Sequence, residues 1–171
     1  LFIYKYNMTI ILKNKHSLKI DDFNFKCCVG KNGLSNKKIE GDKKTPKGIF
    51  KLENLYYRSD RLKKPFTKLN CIKIHKRMGW CNNIKDKKNY NKLIDIKNQI
   101  KYEKLYRKDY KYDLIIPIKY NWNKNILNKG SCIFLHLTKT YKPTAGCIAL
   151  RKKDFLILLK LINKKTKIKI C

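Results

Sequence analysis

The chain has few acidic residues. Only 12 Asp and Glu stand against 43 Lys and Arg, which leaves a net charge of +31 over 171 residues. Histidine is scarcer still, limited to His16, His75 and His136, and the seven cysteines never form a C-x-x-C pair. Both absences argue against a structural zinc site. An odd cysteine count also argues against a complete disulfide framework and favours a reducing environment. No apolar run is long enough to span a bilayer: LFIYKYNMTIIL is broken by Lys5, and FLILLKLI is too short. The N-terminus lacks a secretory pattern, having neither a clean apolar core nor a small-residue cleavage site. Because the first residue is Leu1, the chain reads either as truncated or as starting at Met8. No internal repeat and no long linker is present, which fits a single domain over 1–171 with enough length for a real core.

The lysines are spread from Lys5 to Lys169 rather than gathered in one block. Part of that charge is of the kind an AT-rich coding sequence produces. Its physical consequence holds regardless, since anionic polymers and carboxylate-bearing substrates are drawn to such a surface. A basic nucleic-acid-binding protein is therefore the alternative from a different class. Against it, there is no RNP-like aromatic pattern, zinc module or helix-turn-helix, and no nucleic-acid partner is expected.

Short strands separated by turns are expected through the first half, at Met8–Leu12, Phe23–Gly30, Gly48–Leu52 and Asn70–His75. The polar stretch Lys31–Lys47 reads as a loop, Arg77–Asn83 as an aromatic turn, and Lys85–Asn98 as a surface excursion. Tyr112–Asn121 reads as a strand in which Pro117 marks an edge or a bulge. Ser131–Leu137 is an apolar strand that carries His136 near its end. Lys152–Asn163 is the one clear helix, with Phe155, Leu158, Leu159 and Ile162 spaced along one face. Thr166–Ile170 alternates as a terminal strand. The class is mainly β with one packing helix.

The chemistry-bearing residues lie in two segments. In GSCIFLHL a strand presents His136, and in PTAGCIAL a turn presents Cys147 beside small residues. A thiol flanked by small residues lets a carbonyl approach and leaves backbone N–H groups for an oxyanion. Histidine supplies a base that titrates near neutrality. Upstream, EGDKKTPKGIF joins a glycine turn, a Thr-Pro step and a second glycine ahead of a strand. Cys27, Cys28, Cys71 and Cys132 fall in apolar patterns and read as buried packing residues. Cys81 and Trp80, in the aromatic turn, are candidates for lining a cleft. His75 reads as structural, and His16 has no role.

Taken in order, these pieces resemble the catalytic domain of the L,D-transpeptidases, the YkuD or ErfK/YbiS/YcfS/YnhG family. Gly41, Thr45, Pro46, Gly48 and Phe50 fill its first pattern; Thr144, Gly146 and Cys147 fill its [ST]-x-G-C motif. The likeness is clearest over 27–171. The chain departs from the pattern at Ala149, where an arginine is usual, with Arg151 two residues further on. The resemblance implies a YkuD-like β-sandwich of mixed sheets with the packing helix near the C-terminus. It implies a catalytic set of Cys147, His136 and Gly146, with Thr144, Ala145, Arg151 and Trp80 in contact with substrate, and no metal or organic cofactor. Cys147 would attack a stem-tetrapeptide carbonyl of peptidoglycan and release the terminal D-amino acid. His136 would take the thiol proton or hold a thiolate–imidazolium pair, and an amine acceptor would then resolve the thioester. The alternative is an L,D-carboxypeptidase of murein recycling, with water as acceptor. The resemblance points to the cell envelope or periplasm, the missing signal pattern to the cytoplasm. A monomer is expected.

Overall fold

The computed structural model describes residues 8–97 and 101–171. The N-terminal apolar stretch up to residue 7 and the last residue of the Lys85–Asn98 excursion lie outside them. In chain order the elements are β1 (Thr9–Asn14), β2 (Ser17–Ile20), β3 (Phe23–Cys28), β4 (Leu34–Ser35), β5 (Thr45–Pro46), β6 (Gly48–Lys51), β7 (Leu55–Tyr57) and β8 (Cys71–Lys73). There follow β9 (Met78–Cys81), β10 (Leu93–Asp95), β11 (Tyr102–Lys104), β12 (Leu114–Pro117), β13 (Phe134–Leu137), β14 (Ile148–Leu150), the helix α1 (Lys152–Leu161) and β15 (Lys167–Ile170). The protein is mainly β with mixed sheets and, among the described residues, one helix near the C-terminus.

Ten strands form one mixed sheet in the order β6-β15-β1-β2-β3-β14-β13-β12-β7-β8. Its lysine-rich strands hold because apolar residues alternate with lysines: Ile10, Leu12, Leu18, Ile20, Ile168 and Ile170 point inward while lysines face water. A bridge from Leu52, just past β6, to Ile118, just past β12, bends the sheet round on itself. β9 is the centre of a three-stranded sheet, β10-β9-β11, and β4 pairs with β5.

The period of two along β13 decides where the site lies. Leu135 and Leu137 join Ile148, Leu150 and the helix residues Phe155, Leu158, Leu159 and Ile162 in the main core. Burying those four helix side chains contributes on the order of 6–12 kcal/mol as an upper bound, comparable to a domain's whole net stability. The helix therefore clamps β13 from one side. On the other side, Phe134 and Cys147 pack with Trp80, Tyr112, Tyr56 and Leu105 in a second, aromatic cluster. His136, two residues from Phe134, shares that second face.

Some expectations need correction. β12 is not an edge strand, for it lies between β13 and β7. Pro117 is tolerated because it is the last residue of β12, beyond the end of the β7 ladder at Leu114 and Ile115, and its carbonyl accepts the Glu53 N–H at 2.9 Å. The aromatic turn at Arg77–Asn83 is largely the strand β9, paired on both sides. The loop Lys31–Lys47 contains β4 and β5, and the excursion contains β10. Cys27 and Cys28 are buried, whereas Cys71 and Cys132 are partly exposed, and all seven cysteines are free. Among the described residues no helix is long and apolar enough to cross a membrane, and no cluster of three or more His, Cys, Asp and Glu is placed to hold a metal ion.

Candidate active site

The turn before Cys147 is held by two threonine hydroxyls. Thr45, from the Thr-Pro step, is fully buried; its hydroxyl accepts the Gly30 N–H at 2.9 Å and donates to the Gly146 carbonyl at 2.7 Å. That bond joins residues 101 positions apart and ties the upstream loop to the turn before Cys147. Thr144 works inside the turn. Its hydroxyl donates to the Cys147 carbonyl at 2.6 Å and accepts the Gly146 N–H at 3.0 Å. Gly146 has φ 138°, and a Cβ there would lie 2.9 Å from the Lys44 carbonyl oxygen, so both the conformation and the space require glycine.

Beyond this turn, β14 runs parallel to β13 with Ile148 opposite Leu135 and Ala149 opposite His136. The register sets Cys147 beside Phe134, whose N–H donates to the thiol sulfur at 3.4 Å. The thiol in turn donates to the Cys132 carbonyl at 3.1 Å. Cys132 is held at φ 56°, and its own N–H reaches the Asn91 side-chain oxygen at 3.2 Å. That oxygen also accepts the Trp80 indole N–H at 3.0 Å. A buried asparagine thus fixes the carbonyl against which the thiol rests.

His136 is 7% exposed, and its Nδ1 lies 2.9 Å from the Leu137 carbonyl. A carbonyl only accepts, so Nδ1 carries the proton and Nε2 is left as an acceptor. The Tyr112 ring meets the imidazole edge-on at 5.4 Å, and its hydroxyl donates to Glu103 at 2.8 Å. Arg107 bonds Glu103 at 3.2 Å and Asp109 at 2.6 Å, and its guanidinium stacks 4.9 Å from the Tyr112 ring. Burial pushes the His136 pKa down to about 4 and the Cys147 thiol up to about 12. Both shifts favour the uncharged thiol and the neutral imidazole. Among the described residues no hydrogen bond joins His136 directly to Cys147.

Cys147 and His136 open onto one cavity of about 450 Å³, together with Thr144, Ala145 and Ala149. Its charged lining consists of Lys38, Arg107, Lys111 and Lys142 against Glu40 and Glu103. Lys38 is committed to Asp42 at 2.7 Å and Arg107 to Asp109, while Lys111 and Lys142 have no ion-pair partner among the described residues. The arrangement can take a proton from a thiol, bind a substrate carbonyl beside it and attract carboxylates.

The residues named from sequence divide accordingly. Cys147, His136, Thr144 and Ala145 converge on the cavity. Thr144 acts by shaping the turn, since its hydroxyl is taken up by Gly146 and Cys147. Gly146 offers no free N–H, its own being bonded to Thr144. Trp80 is only 2% exposed and lies behind the site, packed on Phe134 and Trp122 at 5.5 Å; Cys81 is fully buried beside it. Arg151 begins the helix, exposed, with its guanidinium 5.2 Å from the Tyr141 ring, and lines a neighbouring cavity instead. It is not among the residues lining the cavity that Cys147 and His136 share. Sequence reading missed the Leu137 carbonyl, Tyr112, Glu103, Asn91 and Glu40. Only Glu40, one residue before Gly41 of the Thr-Pro segment, left any local signal.

Two solved structures are similar to this chain at low identity. Bd1075 from Bdellovibrio bacteriovorus is 16% identical with a TM-score of 0.49, covering 96% of this chain and 47% of that one. The helical cell shape determining protein Pgp2 from Campylobacter jejuni is 18% identical with a TM-score of 0.49, covering 96% and 46% respectively. The chain thus spans less than half the length of either protein. No curated protein sequence matches it. The family of the L,D-transpeptidase catalytic domain, YkuD, matches residues 5–170. With the Thr45 staple, the T-x-G-C turn and the histidine strand all in that matched span, the chain belongs to the YkuD family of L,D-transpeptidase catalytic domains.

Proposed function

We propose that the protein is a cysteine-dependent L,D-transpeptidase acting on peptidoglycan stem tetrapeptides. The observation that carries this reading is the opening of Cys147 and His136 onto one cavity, with Nδ1 of His136 fixed on the Leu137 carbonyl. Substrate binding brings the carbonyl of the third stem residue against the thiol. Nε2 of His136 takes the thiol proton as the sulfur attacks the carbonyl carbon. A backbone N–H stabilises the oxyanion, worth about 3 kcal/mol per donor. The Gly146 N–H is already committed, and that of Cys147 has no acceptor among the described residues, so Cys147 supplies the donor. The Leu137 carbonyl and the Tyr112 ring steady the imidazolium. On collapse the C–N bond breaks, the imidazolium returns its proton to the leaving amine, and the terminal D-amino acid departs. An acceptor amine then attacks the thioester, with His136 again taking a proton, and the thiol is restored. Water in place of the amine gives the carboxypeptidase outcome from the same acyl-enzyme. Lys111 and Lys142 attract stem-peptide carboxylates, and the substrate puts the work at the cell wall.

The test is mass spectrometry of purified muropeptides incubated with the protein. Cross-linked dimers with loss of a terminal D-amino acid are the expected product. Tripeptides alone would move the assignment to the carboxypeptidase, and unchanged muropeptides would refute both.

A further inference from the structure

Glu40 is out of place in a chain so rich in cations. It lines the catalytic cavity, yet among the described residues it makes no ion pair. Lys38, two residues away, is committed to Asp42. Glu40 is nonetheless held firmly. Its Oε2 accepts the hydroxyl of Tyr90 at 2.5 Å and that of Ser131 at 2.7 Å. The Tyr90 oxygen accepts the Gly130 N–H at 3.1 Å, which directs its own proton to Glu40. Tyr90 is fully buried, so the carboxylate is braced from behind. Its other oxygen, Oε1, has no hydrogen-bond partner among the described residues. A carboxylate anchored through one oxygen and open at the other is a receptor for a cation.

Its position relative to the nucleophile is fixed by two consecutive residues. Ser131 holds Glu40, and the carbonyl of Cys132 receives the Cys147 thiol. The carboxylate therefore stands within a side chain's reach of the point where the scissile carbonyl must lie. The group best suited to it is a cation at the end of the side chain of the residue being attacked. Resting on the function proposed above, we infer that Glu40 is a specificity-determining residue that binds the side-chain ammonium of a diamino acid at the third stem position. The cavity supplies Glu40 for the amine while Lys111 and Lys142 suit carboxylates elsewhere on the peptide. A peptide lacking the amine would leave Glu40 desolvated and unpaired, which is how a buried polar site rejects the wrong ligand.

The test uses two stem tetrapeptides, one with diaminopimelate at the third position and one with 2-aminopimelate, which lacks only the side-chain amine. Calorimetry on Cys147→Ala protein reads binding without chemistry. The diaminopimelate peptide should bind about tenfold or more tightly, the range for a hydrogen bond to a charged group. Adding Glu40→Gln, which keeps an oxygen for Tyr90 and Ser131, should erase that ratio while circular dichroism and Tm stay those of the parent. Equal binding of the two peptides by Cys147→Ala protein would overturn the inference, as would no measurable binding of either, or a ratio that survives Glu40→Gln. D-alanine release by wild-type protein separates this from the activity itself. Release from both peptides at one rate keeps the activity and sinks the role of Glu40. Discrimination in binding with no release from either keeps the role of Glu40 and sinks the acyl-transfer reading.

Discussion

Replacing Thr45 with valine removes one hydroxyl and nothing else of that size. The two backbone groups it serves, the Gly30 N–H and the Gly146 carbonyl, then stay buried without partners. Each such group costs about 1–3 kcal/mol. Local relaxation recovers part of this, so the loss should fall at about 2–4 kcal/mol. For a chain of this length about 2–4 °C of Tm goes with each kcal/mol, which predicts a Tm lower by roughly 4–16 °C. Thermal unfolding followed by circular dichroism reads this directly. Thr45→Ser keeps the hydroxyl and should recover most of it. The damage should also reach the site, because the turn carrying Cys147 hangs from this bond. Acylation by a stem peptide should therefore slow in Thr45→Val at temperatures where the protein is still folded. A Thr45→Val protein that melts within a degree of wild type would refute the staple.

Three further outcomes follow from the site geometry. His136→Ala should slow acylation by about 10²–10⁴-fold, the range for a lost general base, measured as single-turnover D-alanine release; an unchanged rate would remove His136 from the mechanism. Burial lowers the folded-state pKa of His136 from 6.5 to about 4, so its neutral form should persist in acid and the acidic limb of the acylation profile should lie near pH 4 to 5 rather than 6.5. The same shift has a stability consequence: the unfolded chain binds the proton first, so stability present above pH 6.5 should be lost as pH falls towards 4, by about 3 kcal/mol in all, seen as a falling urea midpoint. Gly146→Ala should destabilise by about 1–3 kcal/mol, because an alanine at φ 138° is strained and its Cβ meets the Lys44 carbonyl; chemical denaturation reads it.

The candidate site was legible in the sequence where its parts are local. Cys147 lies in a four-residue turn motif and His136 on an apolar strand of period two, and both land on the cavity. The helix was legible for the same reason: Phe155, Leu158 and Leu159 repeat at helical spacing and are fully buried. What stayed hidden depends on distant pairing. β7 is buried on every residue and shows no alternation, because Leu55 and Tyr57 pack into the main core while Tyr56 packs into the aromatic cluster. β2 has only four residues, too few for a period to stand out. Trp80 looked like a cleft residue, but Asn91 pins its indole N–H inward, a bond across 11 residues that no local pattern announces. Glu40 and Ser131 are 91 residues apart and meet only when the sheet bends round. The Leu137 carbonyl is a backbone atom, and side-chain identity says nothing about where it points.

The central claim is that Cys147 carries the acyl group, and intact-protein mass spectrometry after brief mixing with a stem tetrapeptide tests it most directly. A tripeptide adduct on Cys147, formed with release of one D-alanine and abolished in Cys147→Ala, is the predicted result. D-alanine release that persists in Cys147→Ala, or release by wild-type protein with the adduct on another residue, would contradict it.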